Sequence, residues 1–178
     1  MRATLRVIPS KLSSTQSPIM TISKSILPLI AVLAFTTTTP AQDTALEAQK
    51  QAGQQPYMPV CSACHHPPGM ALPGMSPPLA NSDWVTAAKP DRLIRIVLHG
   101  MTGLININGN PFPPPPPVMP GQGTLSDEQI ANIPPYTRTA SGNTAPAVTP
   151  AEVAAIRAAE KARTGMWLEA ELLKIPVE

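Results

Sequence analysis

Apolar residues follow a helical spacing in two early parts of this chain. Residues 43–54 are rich in Ala, Glu, Gln and Lys and predict a helix, which Pro56 and Pro59 should interrupt. The segment from Pro90 to His99 carries five aliphatic residues and is followed by Gly100. It predicts a buried helix that ends in a left-handed glycine cap.

A capping box predicts another helix beginning at Ser126, because Gln129 stands three residues later and an apolar residue follows it. The proline pair at 134–135 should end this helix at residue 132 or 133. An internal proline removes a backbone hydrogen bond and costs about 3 kcal/mol or more.

Residues 149–178 predict a helical C-terminal extension. A capping box at 149–152, with proline at the first helical position, opens a helix that should run to about Arg163, and residues 167–173 predict a second short helix. The preceding residues 141–148 are small and polar, which is typical of a linker. The extension either folds back on the rest of the chain or forms a docking arm for another subunit. The first interpretation is favoured because amphipathic helices most often cover their own core.

Proline and glycine dominate the segments between the predicted helices. Proline contributes 24 of the 178 residues, against a usual share of about 5 per cent. Residues 67–79 predict a long wrapping loop, and residues 111–120 predict an extended polyproline strap. Residues 104–110 alternate and contain an Asn-Gly pair, which predicts a short β-hairpin. The fold class that follows is a small all-α protein with long Pro/Gly-rich loops, this hairpin and a C-terminal helical tail.

The first 41 residues have the pattern of a secretory signal peptide. Four basic residues precede an apolar run at residues 26–35, and the small residues around Ala41 suit a signal peptidase. The stretch before Met20 is unusually long, which makes Met20 an alternative start. The apolar run is too short for a bilayer, which needs about 20 apolar residues. We therefore predict a periplasmic or otherwise exported protein with its main domain at 42–140 and no transmembrane segment in the mature chain.

Removal of this signal changes the net charge of the protein. The chain has 13 Lys and Arg against 11 Asp and Glu. Four of the basic residues leave with the signal, so the mature chain keeps 9 against 11 and a formal charge of about −2. Nothing basic remains that would favour a nucleic acid partner.

Cys61 and Cys64 are the only cysteines of the chain, and His65 follows them directly. The spacing C-x-x-C-H is typical of covalent attachment of a c-type haem, with the two thiols on the porphyrin and the histidine on the iron. Three other interpretations stay open: a structural Cys61/Cys64 disulfide in an exported protein, a redox-active dithiol, and a zinc site. A structural zinc site needs four ligands, and the only other histidines are His66 and His99.

Met119 is predicted as the second axial ligand of the haem iron. A thioether is a soft donor that stabilises ferrous iron and raises the reduction potential, and the prolines around Met119 restrict the backbone that carries it. One rival is His99, for which a structural role at its helix end is favoured. The other rivals are the methionines Met58, Met70, Met75, Met101 and Met166. Without a second protein ligand the iron would be open, as in a haem enzyme or a gas sensor.

The order of these motifs is similar to that of class I monohaem cytochromes c. The matching parts are Cys61 to His65, the loop ending in Pro77-Pro78-Leu79, the strap Val118-Met119-Pro120 and the segment 125–130. Residues 77–84 together with residues 92–100 resemble, more specifically, bacterial cytochrome modules that are fused to, or found beside, periplasmic quinoprotein-type dehydrogenases.

This resemblance implies a small cytochrome c fold and one covalent haem c, held by Cys61 and Cys64 and ligated by His65 and Met119. It also implies that a carbonyl of Pro77 or Pro78 accepts a hydrogen bond from the His65 ring nitrogen that faces away from the iron. The implied function is electron transport by a non-enzymatic carrier, or by a subunit of a dehydrogenase complex. Its redox partners would be a periplasmic dehydrogenase and an oxidase or other acceptor.

Overall fold

The structure is a computed structural model that describes residues 40–67, 69–71, 73–115, 117–140 and 142–178. The predicted apolar signal segment and the alternative start at Met20 lie outside the described residues. Seven helices occupy the described part of the chain: α1 Pro40–Val60, α2 Ser62–His65, α3 Asp83–Thr86, α4 Asp91–His99, α5 Asp127–Ala140, α6 Pro150–Ala159 and α7 Glu169–Leu172. None of the helices within these ranges is long and apolar enough to cross a membrane.

Four short strands accompany the helices among the described residues: β1 Gly100–Thr102, β2 Asn106–Ile107, β3 Asn110–Pro111 and β4 Val118–Pro120. β2 and β3 form the predicted hairpin, and its turn residues Asn108 and Gly109 both have positive φ. β1 pairs antiparallel with β4, so that Met101 stands opposite Met119. The fold is therefore mainly helical, with one small sheet more than the sequence predicts.

The prediction that α1 ends after Gln54 is wrong, because α1 continues through Pro56 and Pro59 to Val60. The helix packs across α5, where a Cβ atom built on Gly53 would lie 1.9 Å from the carbonyl oxygen of Asn132. One turn later Tyr57 is fully buried, and its ring lies 4.8 Å from that of Tyr136 between centroids. This packing against α5 offsets the hydrogen bonds that the two prolines cannot donate.

The predicted start of α5 is confirmed, and its predicted end is wrong. The Ser126 amide donates to Gln129 Oε1 at 3.0 Å, and the Gln129 amide donates to Ser126 Oγ at 3.2 Å. The helix then runs through Pro134 and Pro135, both of which are buried. The Thr137 hydroxyl donates to the Pro134 carbonyl at 3.2 Å. Burial of the two prolines in the core keeps the helix together where its backbone ladder is interrupted.

α4 confirms the predicted buried helix, since Ile94, Ile96, Val97 and Leu98 are all buried. Gly100 has φ 80° and ψ 175°. This positive φ suits glycine, as predicted, but the extended ψ begins strand β1 instead of forming a left-handed cap. The end of the predicted strap at 111–120 likewise belongs to a strand, β4. The pairing of β1 with β4 explains both differences, because it draws each segment into an extended conformation.

The C-terminal extension folds back on the rest of the protein, as favoured from the sequence. Val153 and Ile156 of α6 belong to a buried cluster with Ile94 and Ile130, among others. The predicted capping box begins α6, but the helix ends at Ala159 and not near Arg163. A second buried cluster joins the extension to other parts of the chain through Trp84, Ile96, Met101, Ile105, Trp167 and Leu172.

Within the predicted linker at 141–148, Asn143 forms hydrogen bonds to the loop before α3 and to α5. Asn143 is buried, and its side-chain amide donates to the carbonyls of Leu79 and Thr137 at 3.1 Å each. Its Oδ1 accepts from the Asn81 amide at 2.7 Å. The domain boundaries at 42–140, 141–148 and 149–178 stay predictions.

Candidate functional site

A large apolar cavity lies between the helices, the loop before α3 and the β1–β4 sheet. It encloses about 1270 Å³ of empty space, a volume that includes space open to solvent. Of the described residues that line it, none is Lys, Arg, Asp or Glu. The cavity therefore suits a large, mainly apolar group.

The two cysteines and His65 stand together on the wall of this cavity. The Cys61 amide donates to the Tyr57 carbonyl at 2.8 Å, and the His65 amide donates to the Cys61 carbonyl at 2.9 Å. Helical spacing thus places Cys61 and Cys64 on the same side of one turn. Both are free cysteines, and Cys64 is exposed while Cys61 is half-buried.

Burial, and to a smaller extent the charge of Cys64, raise the pKa of the Cys61 thiol to about 11. Cys61 is therefore a protonated thiol at neutral pH. This does not favour a reactive redox dithiol, which needs a lowered pKa.

His65 is buried, and its ring forms a hydrogen bond with the loop that follows the motif. Its Nδ1 lies 3.2 Å from the Pro77 carbonyl oxygen. Because a carbonyl can only accept, the proton must be on Nδ1, and the lone pair is left on Nε2. Burial lowers the pKa of His65 and the bond to Pro77 opposes this shift, so the neutral ring is favoured at pH 7. The predicted carbonyl acceptor is thus Pro77, and Pro78 lines the cavity beside it.

Two further side chains hold the motif in place, and the sequence analysis did not identify them. The Tyr57 hydroxyl donates to the His66 carbonyl at 2.8 Å, and burial raises the pKa of Tyr57. The Ser76 hydroxyl donates to the Cys64 carbonyl. Tyr57 lies one helical turn before Cys61, and this spacing could have indicated that its side chain lies near the motif.

Met119 lines the same cavity as His65, although the two residues come from different elements. It is half-buried and packs against both buried clusters. Of the rival methionines, Met101 and Met75 also line the cavity; Met101 is buried and Met75 is 59% exposed. Among the described lining residues neither His66 nor His99 occurs. The structure thus brings Cys61, Cys64, His65, Pro77, Pro78 and Met119 to one cavity.

The donors at this cavity fit a covalently attached haem better than a zinc ion. Two free thiols, a neutral imidazole and a thioether face an apolar volume, and these are groups that bind the edge and the iron of a porphyrin. Zinc needs four closely placed ligands. Within the part of the chain that the structure describes, no group of three or more His, Cys, Asp or Glu side chains could hold a metal ion.

Comparisons with known proteins agree with this chemistry. Residues 48–136, half of the chain, match the protein family described as cytochrome C oxidase, cbb3-type, subunit III. The matched range contains the motif Cys61 to His65, Met119 and both prolines within α5. It ends before the C-terminal extension.

Individual relatives are cytochrome c subunits. The chain is 35% identical over 107 residues to the alcohol dehydrogenase (quinone), cytochrome c subunit, of Gluconacetobacter polyoxogenes; this covers 59% of this chain and 22% of that protein. The same figures hold for the subunit of that name from Komagataeibacter europaeus. The subunit from Gluconobacter oxydans (strain 621H) is 32% identical over 99 residues, which is 55% of this chain and 20% of that protein. The chain thus spans about a fifth of the length of the curated relatives it matches.

Proposed function

The chain belongs to the cytochrome family described as cytochrome C oxidase, cbb3-type, subunit III, and we propose that it is an exported one-electron carrier with a single covalent haem c. The resemblance to cytochromes c that the sequence predicts is thereby confirmed. The observation that carries the proposal is the apolar cavity with Cys61, Cys64 and His65 together on its wall. Haem, when bound, supplies an iron that changes between ferric and ferrous states.

The proposed roles of the residues follow from their chemistry. Cys61 and Cys64 would each add their thiol across a vinyl group, with the sulfur on one carbon and the hydrogen on the other, so that no oxidant is needed. His65 would give the lone pair of Nε2 to the iron, and its bond to Pro77 would fix the ring orientation and raise its basicity. Met119 would be the second axial ligand and would raise the reduction potential.

The proposed place of electron exchange is the rim of the cavity. The exposed residues on this rim are uncharged: Cys64, Met75, Val118 and Pro120. In the sequence, moreover, residues 51–82 and 96–126 contain no Lys, Arg, Asp or Glu. A redox partner would therefore meet a mainly apolar surface here, and apolar contact rather than charge would provide most of the attraction.

The proposed partner is a periplasmic quinoprotein-type dehydrogenase, which would supply the electrons that the carrier passes to an oxidase or another acceptor. The relatives named above are subunits of quinone alcohol dehydrogenases, which supports this placement. On this proposal the chain takes no part in the oxidation of a substrate. It relays electrons beside the dehydrogenase or as one of its subunits.

The experiment that tests the proposal is spectroscopy and mass measurement on the purified mature protein. We expect a c-type haem band in the reduced-minus-oxidised spectrum, a mass increased by one haem, and a methionine-to-iron charge-transfer band in the ferric near-infrared spectrum. A mass without the haem increment would contradict the proposal. Haem without the near-infrared band, together with binding of carbon monoxide, would instead indicate an open-site haem enzyme or gas sensor.

Replacement of Met119 by alanine is expected to open the iron to external ligands. The ferrous wild type should bind carbon monoxide only weakly, because the thioether occupies the site, whereas Met119→Ala should bind it tightly and lose the near-infrared band. The reduction potential should also fall, since a methionine ligand favours ferrous iron. Absorption spectra and a redox titration measure these effects.

The matched control for this variant is Met75→Ala, which removes another methionine from the lining of the same cavity. Because Met75 is mostly exposed, its removal should leave the near-infrared band and the carbon monoxide response unchanged. Loss of the band in Met75→Ala but not in Met119→Ala would assign the second ligand to Met75.

A further inference from the structure

The C-terminal extension contacts two segments that adjoin the strand carrying Met119, although it lies outside the family match at residues 48–136. One contact is made by an arginine side chain of α6. The other is made by the backbone of Trp167. The first contact is with residues 123–127, which follow β4, and the second is with β1, which pairs with β4.

Arg157 of α6 is bound to three groups just after Met119. Its Nε donates to Asp127 Oδ1 at 2.8 Å, its Nη1 to the Gly123 carbonyl at 2.7 Å and its Nη2 to the Leu125 carbonyl at 2.8 Å. The planar guanidinium donates along fixed directions, so the three bonds set the positions of these acceptors relative to each other. Arg157 thereby joins the chain after β4 to the start of α5.

The segment that Arg157 holds contains glycines that cannot easily be replaced. A Cβ built on Gly121 would lie 2.7 Å from the carbonyl carbon of His99, and one on Gly123 would lie 3.0 Å from the Leu98 oxygen. Close approach to the end of α4 thus requires glycine, and glycine leaves the backbone more conformational freedom to lose. A segment of this kind needs an outside contact to keep one conformation.

Trp167 supports the same sheet from its other edge. Its amide donates to the Gly100 carbonyl at 3.0 Å, and its carbonyl accepts from the Thr102 amide at 3.0 Å. β1 is therefore bound on one side by Trp167 and on the other by β4, where Met101 faces Met119. The Trp167 ring lies in the buried cluster against which Met119 packs.

We propose that the C-terminal extension is a positioning device for the distal haem ligand, and that Arg157 is its main positioning residue. This inference rests on the proposed ligation of haem by Met119. A thioether is a weak ligand, and outer contacts that orient a ligand contribute to its binding to the metal. By fixing residues 121–127, Arg157 keeps the sulfur of Met119 close to the place where it binds iron.

The test uses the full mature holoprotein with Arg157→Gln, measured by the near-infrared charge-transfer band and by carbon monoxide affinity of the ferrous form. We expect the band to weaken and the apparent carbon monoxide affinity to rise about tenfold, which corresponds to about 1.4 kcal/mol of lost methionine binding. Arg157→Lys should restore the wild-type band and the wild-type carbon monoxide affinity only in part. A lysine can keep the ion pair with Asp127, but it is a point charge without the fixed fork that binds both carbonyls.

The matched control is Arg95→Gln. Arg95 also links the extension to the core, through a 2.7 Å ion pair with Glu160, and it bonds to the Asp91 carbonyl instead of residues 121–127. A merely structural role of Arg157 predicts equal changes in both variants, so equal changes would overturn the inference. An altered band in Arg157→Gln with a normal band in Arg95→Gln would support it.

Two further outcomes separate this inference from the proposed function. Carbon monoxide binding by the wild type as tight as that of Met119→Ala would overturn the proposed ligation and this inference with it. A normal wild type combined with an unchanged Arg157→Gln would overturn this inference alone. If Arg157→Gln does not accumulate as folded protein, Asp127→Asn serves instead, because it removes the charge of the one charged acceptor among the three. It should produce a smaller change of the same sign, and no change at all would count against the proposal.

Discussion

Replacing Cys61 and Cys64 together by alanine is expected to yield an exported protein that retains no haem after denaturation. The thiols are the groups that would form covalent bonds to the porphyrin, whereas His65 and Met119 could hold it only by coordination. The apolar cavity of about 1270 Å³ would then lose its permanent occupant, and we expect a large loss of stability, because empty apolar space forfeits packing contacts. Mass spectrometry and haem staining of a denaturing gel measure the covalent bond, and thermal unfolding measures the stability.

The control for this double variant is Ala63→Ser, a change between the two cysteines at an exposed position. It keeps both thiols and should leave the haem mass and the thermal midpoint nearly unchanged. A haem-sized mass increment that survives denaturation in the double alanine variant would disprove the proposed attachment.

Replacing Gly53 by alanine is expected to destabilise the protein by disturbing the crossing of α1 and α5. Its Cβ would lie 1.9 Å from the Asn132 carbonyl oxygen and 2.8 Å from the carbonyl carbon, and both atoms belong to the backbone of α5, so no side-chain rotation can relieve the clash. Overpacking usually costs about 1–3 kcal/mol, and we expect a cost at the upper end of this range. The direction of the change in unfolding free energy is informative. In an unconstrained helix alanine is favoured over glycine by about 1 kcal/mol, so a loss of stability would indicate the clash with α5.

The matched control is Gln54→Ala, which introduces the same residue at the next position of α1, where the side chain is exposed. Its effect on the free energy of unfolding should stay within about 0.5 kcal/mol. Denaturant unfolding of both holoproteins gives the comparison. Equal midpoints for Gly53→Ala and the wild type would show that α1 and α5 do not cross as closely as the structure has them.

Much of the candidate site is predictable from the sequence, because its chemistry is local. The spacing of Cys61, Cys64 and His65 is enough to propose covalent haem, since no distant contact is needed to place two thiols and an imidazole on one helical turn. The acceptor of the His65 ring nitrogen came from the resemblance, and the structure places it at Pro77. Met119 could be proposed from its setting among prolines. Its role as ligand remains a proposal that the carbon monoxide experiment decides.

The two helices that the sequence analysis predicted to be too short, α1 and α5, share one cause. Pro56, Pro59, Pro134 and Pro135 are strong local signals against a helix, yet all four lie inside helices. The rule that proline interrupts a helix describes a helix without tertiary contacts. In the folded protein, close packing of α1 against α5 and burial of Pro56, Pro134 and Pro135 provide more stabilisation than the missing hydrogen bonds remove.

The sequence by itself therefore determined the C-x-x-C-H motif at residues 61–65, the capping boxes at Ser126 and Thr149, the Asn-Gly hairpin and the buried face of α4, because each depends on residues only a few positions apart. Tertiary structure alone decided how far α1 and α5 extend, which methionines reach the cavity, and how Arg157 and Trp167 bind the segment around Met119. These features depend on contacts between residues far apart in the chain. No short-range pattern encodes such contacts, since their stability arises only when the separate elements pack together.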